Sequence, residues 1–122
     1  MARTGPESVI EQHLRLSVED AGGQCLKLIS TKAGVPDRVV VLNGWVVFVE
    51  LKRPELRGRK IPALQEAWHT LLRRAAFSHG IVKVVATKSA ADELVAELVA
   101  ERGPLADPDW AEQASGRALR RV

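Results

Sequence analysis

The sequence predicts an α/β domain, a mixed β-sheet flanked by helices with elements in the order α-β-β-β-α-β-α. Three observations carry that prediction. Two Val-rich runs are separated by only Asn43-Gly44, the strongest short-range hairpin signal. The second run leads through an apolar stripe at helical spacing into another β-branched run, so the third and fourth strands are joined by a helix and pair in parallel. Finally, 122 residues that are 46% hydrophobic and 27% charged are enough for one packed core and too few for two.

Residues 6–21 read as the first helix, with Pro6 suited to a first turn, Ile10, Leu14, Val18 and Ala21 at helical spacing, and Gly22-Gly23 as the stop. Residues 24–30 form a first strand, and 31–36 a loop containing Lys32 and Gly34. The hairpin strands are 38–42 and 45–52. Leu64, Trp68, Leu71, Leu72 and Ala75 mark an amphipathic helix over 61–77. Residues 81–87 form the fourth strand, and a helix beginning near Ser89 ends at Gly103-Pro104. Residues 1–103 are thus the domain. Residues 104–122, rich in Pro, Asp and Ala, are a C-terminal appendage with at most a short helix around Trp110 to Leu119.

Composition narrows the function. The longest apolar run, Trp45 to Val49, is far short of the roughly 18–20 residues that cross a bilayer. The charged first twenty residues do not form a secretory signal, so a cytoplasmic location is expected. One cysteine, Cys25, fits a reducing compartment and a small core residue. Residues 1–91 carry 14 Lys and Arg against 8 Asp and Glu, whereas 92–122 carry 4 against 7, so the basic character belongs to the body of the domain. It is densest from Arg53 to Lys60, which suits a polyanion partner, although a short basic loop is more often only a solvated surface.

The two-residue turn fixes the hairpin register: Leu42 faces Trp45, Val41 faces Val46, and by extension Asp37 faces Glu50. Directly opposed residues share a face about 5 Å apart, where two carboxylates repel. Alternation puts Lys52 on that face too. The plain alternative makes Asp37 a loop residue and Glu50 and Lys52 an exposed ladder. The apolar run Val47, Phe48, Val49 argues for burial instead, and a hard divalent cation with oxygen ligands, Mg²⁺ or Mn²⁺, resolves the repulsion. Zinc is disfavoured, because His13, His69 and His79 share no motif and read as surface or helix-edge residues.

Gly34-Val35-Pro36-Asp37 followed by Glu50-Leu51-Lys52, on this frame, resembles the PD-(D/E)xK (restriction-endonuclease-like) superfamily. The closer likeness is to the VRR-NUC family, especially small stand-alone phage and prophage members, over about residues 5–101. The resemblance implies metal-dependent hydrolysis of nucleic-acid phosphodiesters. It also implies that Asp37, Glu50 and the Leu51 carbonyl bind metal, that Lys52 orients or deprotonates the attacking water, and that a first-helix glutamate completes the site. Glu7 and Glu11 both have apolar residues at i+3 and i+7 and share a helix face, so both are carried, Glu11 slightly ahead. Gln65 matches the family's glutamine in the helix after the lysine. Pro54-Glu55 departs from the glycine that members often place there, and the segment from Gly103 lies outside the family pattern.

Arg38, Arg53, Arg57, Arg59 and Lys60 flank the motif and are expected at the phosphate backbone, with Lys27 and Lys32 as weaker candidates. By that resemblance, the expected function is a structure-specific DNA endonuclease, acting on branched DNA such as a four-way (Holliday) junction as a homodimer. Trp45, Trp68 and Trp110 give the dimer modest support, core or tail packing being the alternative. A non-catalytic nucleic-acid-binding module on the same fold has no use for Asp37, Glu50 and Lys52 together. An enzyme for small phosphate diesters has little use for so broad a basic loop.

Overall fold

In a computed structural model, residues 7–29, 32–52 and 62–110 are described. The first helix, α1 (Val9–Asp20), starts later than its apolar periodicity suggests because Ser8 caps it. The Ser8 hydroxyl accepts from the Glu11 amide at 3.1 Å and the Glu11 carboxylate accepts from the Ser8 amide at 3.3 Å, a reciprocal capping box. The first strand, β1 (Gln24–Lys27), is shorter than expected. Its partner β2 (Arg38–Leu42) is preceded by Pro36, which has no amide hydrogen for a ladder, and pairing ends with one further bond from the Leu28 amide to the Asp37 carbonyl at 2.8 Å.

The third strand, β3 (Trp45–Leu51), completes the hairpin in the expected register, with Leu42 opposite Trp45 and Arg38 opposite Val49. Asn43 and Gly44 have φ of 50° and 80°, the left-handed pair that a two-residue turn requires. Helix α2 (Ala63–Ala76) and a 3₁₀ turn (His79–Ile81) lead to β4 (Val82–Val85), which pairs with β3 in parallel. The last strand ends early because Thr87 is recruited as a cap, its hydroxyl accepting from the Ala90 amide at 3.0 Å to start α3 (Lys88–Ala100). The sheet order is β1-β2-β3-β4, antiparallel except for the last pair.

Alternation gives the sheet two unlike faces. Val40, Leu42, Val47, Val49 and Val85 pack with Leu14 and Val18 of α1 and Ala91, Leu94 and Leu98 of α3 to form the core. Cys25 belongs to this core, and burial above all pushes its thiol up to about 11. The opposite face carries α2 over β3 and β4. Residues 103–106 hold to the hairpin turn through bonds from the Gly103 amide to the Asn43 carbonyl at 2.8 Å and from the Leu105 amide to the Gly44 carbonyl at 3.0 Å. The expected helix around Trp110 to Leu119 lies, beyond Trp110, outside the described residues. No helix among the described residues is long and apolar enough to cross a membrane.

Candidate active site

Asp37 and Glu50 meet where β2 ends and β3 runs on. The loop before Asp37 is pressed against α2: a β-carbon on Gly34 would lie 2.8 Å from Leu64 Cγ, and the φ of +88° there also calls for glycine. Buried Pro36 follows and sets the approach. Asp37 Oδ2 accepts from the Leu51 amide at 3.1 Å, so this carboxylate takes over the ladder bond that the backbone of β2 no longer supplies.

Glu50, opposite Val84 in the parallel pair, is 6% exposed. Gln65 of α2 donates through Nε2 to its Oε2 at 3.2 Å, so the glutamine singled out in the sequence does reach the acid. Burial, then the negative charge of Asp37 and a hydrogen bond to it, pushes the Glu50 carboxyl up to about 8. The acid pair is therefore held in a state that favours a proton or another positive charge between the two.

Four residues further along α2, His69 is buried beside the same acid, its Nε2 3.9 Å from Glu50 Oε1. The expectation of a surface or helix-edge histidine fails here. Positions i and i+4 share a helix face, so placing Gln65 at the site places His69 there as well, a signal present in the sequence. Both Glu50 Oε1 and His69 Nε2 are buried with no hydrogen-bond partner. His13 and His79 lie elsewhere, the first paired with Asp92 at 2.8 Å.

The first-helix acids are placed differently. Arg38 follows Asp37 directly, so its side chain points to the opposite face, under α1. There the guanidinium meets Glu11 at 2.9 Å and Glu7 at 3.0 Å, while Arg15 holds Glu7 at 3.1 Å. Hydrogen bonding to Arg15 foremost, with the charges of Arg15, Arg38 and Lys27, holds the Glu7 carboxyl below the usual range. Arg38, expected at the phosphate backbone, is 6% exposed and committed to this cluster, because strand alternation aims it into the core side. Leu51 and Lys52 follow Glu50 and are partly buried, and the Lys52 amide donates to the Val85 carbonyl at 2.9 Å. Arg53, Arg57, Arg59 and Lys60 lie outside the described residues. Lys32 stacks over the Trp68 ring at 5.4 Å, and Lys27 lies on β1 opposite Arg38.

Among the described residues, no group of three or more His, Cys, Asp and Glu side chains gathers as a metal cage. The acid pair nevertheless suits a hard divalent cation. Two adjacent carboxylates, one of them buried, supply the one or two carboxylate ligands that Mg²⁺ uses while it keeps several waters.

A four-stranded mixed sheet between helices, with an acid pair at the end of its hairpin, defines a restriction-endonuclease-like α/β domain. No family model matches the sequence, and no curated protein matches it. Among solved structures it is similar to one described as a "VRR_NUC domain", with a TM-score of 0.64 and 26% identity over 75% of this chain and 96% of that chain. The chain has the fold of a VRR-NUC domain, and the likeness points to a nuclease-type function.

Proposed function

We propose that this protein is a Mg²⁺- or Mn²⁺-dependent deoxyribonuclease whose Asp37 and Glu50 hold the cation, with the Leu51 carbonyl beside them. The observation that carries this reading is the pairing of Asp37 with buried Glu50, whose carboxyl is pushed up to about 8 by burial foremost and then by the charge of Asp37. A bound divalent cation supplies charge stabilisation at the scissile phosphoryl group and makes water more acidic. Gln65 fixes one oxygen of Glu50. Lys52, two residues beyond Glu50, orients the attacking water or takes its proton. Arg53, Arg57, Arg59 and Lys60 bind the phosphate backbone without reading sequence. Glu11 or Glu7 completes the site only if it leaves Arg38, and Arg38 itself serves the fold.

The finer reading is a homodimer of the small phage type acting on branched DNA, since two sites at fixed separation suit the paired strands of a four-way junction. Purified protein incubated with linear, flapped and four-way-branched DNA and either cation tests both levels, beside a Lys52→Ala control. Cleavage of any of these by the wild type and its loss in the variant support the nuclease. Preference for the junction, with a dimer in light scattering, supports the finer reading; a monomer without preference removes it alone.

A further inference from the structure

We infer that His69 is a positioning residue for Glu50, its Nε2–H gripping Oε1 as the Gln65 amide grips Oε2, and that this grip tunes how tightly the acid pair holds a divalent cation. The inference rests on the cation-dependent nuclease reading above.

Three observations lead to it. Gln65 and His69 stand one turn apart on α2 and address the two oxygens of a single carboxylate, at 3.2 Å and 3.9 Å. The second distance is too long for a hydrogen bond, so both facing atoms remain unmet although His69 is 2% and Glu50 6% exposed. Buried polar atoms in folded proteins are almost always satisfied, and leaving one unmet is costly. A histidine kept only for packing has no reason to hold that arrangement, since an apolar side chain fills the space without the cost.

The arrangement makes sense for the ionised site. When both acids carry charge, as a cation requires, Glu50 Oε1 needs a donor, and the imidazole nitrogen closes on it by less than an ångström or so of side-chain movement. Carboxylates that bind metal are themselves held by outer hydrogen bonds, and removing such a partner weakens metal affinity about 10–100-fold. Direct ligation by the imidazole is disfavoured because the histidine and the two acids do not gather as a three-ligand group.

The test uses Mn²⁺ as probe on the full chain. Calorimetric titration of the wild type, His69→Ala and His69→Gln is expected to show affinity weakened about 10–100-fold by alanine and largely restored by glutamine, which retains an N–H donor. In chelator, His69→Ala is expected to melt no more than a few degrees from the wild type, so the affinity loss is not general unfolding. Nitrogen-resolved NMR of the wild type, which needs no variant to fold, is expected to find the His69 proton on Nε2. A proton on Nδ1 overturns the inference. Unchanged Mn²⁺ affinity in His69→Ala overturns it and leaves the nuclease reading standing. Imidazole nitrogen coupling in pulsed EPR of bound Mn²⁺ overturns the positioning role in favour of direct ligation, and a wild type that binds no Mn²⁺ overturns both readings.

Discussion

Asp37 and Arg38 are neighbours in the chain and opposites in the fold. On the α1 side, Arg38 is buried against Glu7 and Glu11, with Arg15 and Glu19 extending the cluster, so that every carboxylate meets a guanidinium. On the α2 side, Asp37 and Glu50 bring two negative charges together, with the Leu51 and Gln65 amides and a more distant imidazole facing them. A cluster in which every acid meets a cation serves the fold. One in which two acids face each other is, in the reading proposed above, the place for a divalent cation.

The contrast can be broken most decisively at the acid pair. Glu50→Gln or Asp37→Asn is expected to reduce Mg²⁺-dependent DNA cleavage to background while the metal-free protein melts at the same or a higher temperature, because the variant relieves repulsion. Near wild-type turnover at saturating Mg²⁺ would show that the pair is not the site. Removing the cation of the balanced cluster should do the reverse. Arg38→Ala leaves Glu11 without its guanidinium beside the core and is expected to destabilise the fold by about 3–5 kcal/mol in urea denaturation.

The two clusters also predict opposite responses to pH. The Glu50 carboxyl is raised, so its contribution is fully present below the ordinary value of 4.5 and is lost as pH rises through about 8. The Glu7 carboxyl is lowered, so its contribution is present above 4.5 and is lost as pH falls through the depressed value. Chelator-treated protein is therefore expected to be most stable near mildly acidic pH, which thermal melts across the range will check. Glu50→Gln should remove the decline on the alkaline side and leave the acid limb. The smallest effect is expected from Glu11→Gln, which keeps a hydrogen-bonding partner for Arg38 and should leave cleavage within a few-fold. A large loss there would bring the first helix into the active site after all.

Much of this was legible in the residues, and the parts that were not have physical reasons. The hairpin could be read because a two-residue turn with both residues at positive φ admits one register, and that register alone brings Asp37 to Glu50. Gln65 could be read from the likeness. The place of Arg38 was also implied, since the alternation that puts Asp37 on one face must put its neighbour on the other. His69 was missed because a single histidine on a helix is uninformative until its i−4 neighbour is known to touch an acid. The ends of β1 and β4 depended on Pro36 and on Thr87 serving as a cap, tertiary choices that the apolar runs do not encode.

The hairpin turn is also fastened from afar. Asn43 donates through Nδ2 to the carbonyls of Leu98 at 2.9 Å and Glu101 at 3.0 Å, and Trp45 donates to Glu101 at 2.7 Å. Gly103 lies so close to the Gly44 carbonyl that a β-carbon has no room. A hairpin that slipped by one residue would reverse every side chain, sending Glu50 toward the core and Val49 out. Such a chain would also lose this clasp, because Asn43 would no longer stand under the end of α3. Contacts across 58 residues of sequence thus hold only in the native register, so the end of the closing helix stabilises the one pairing that brings the two acids together.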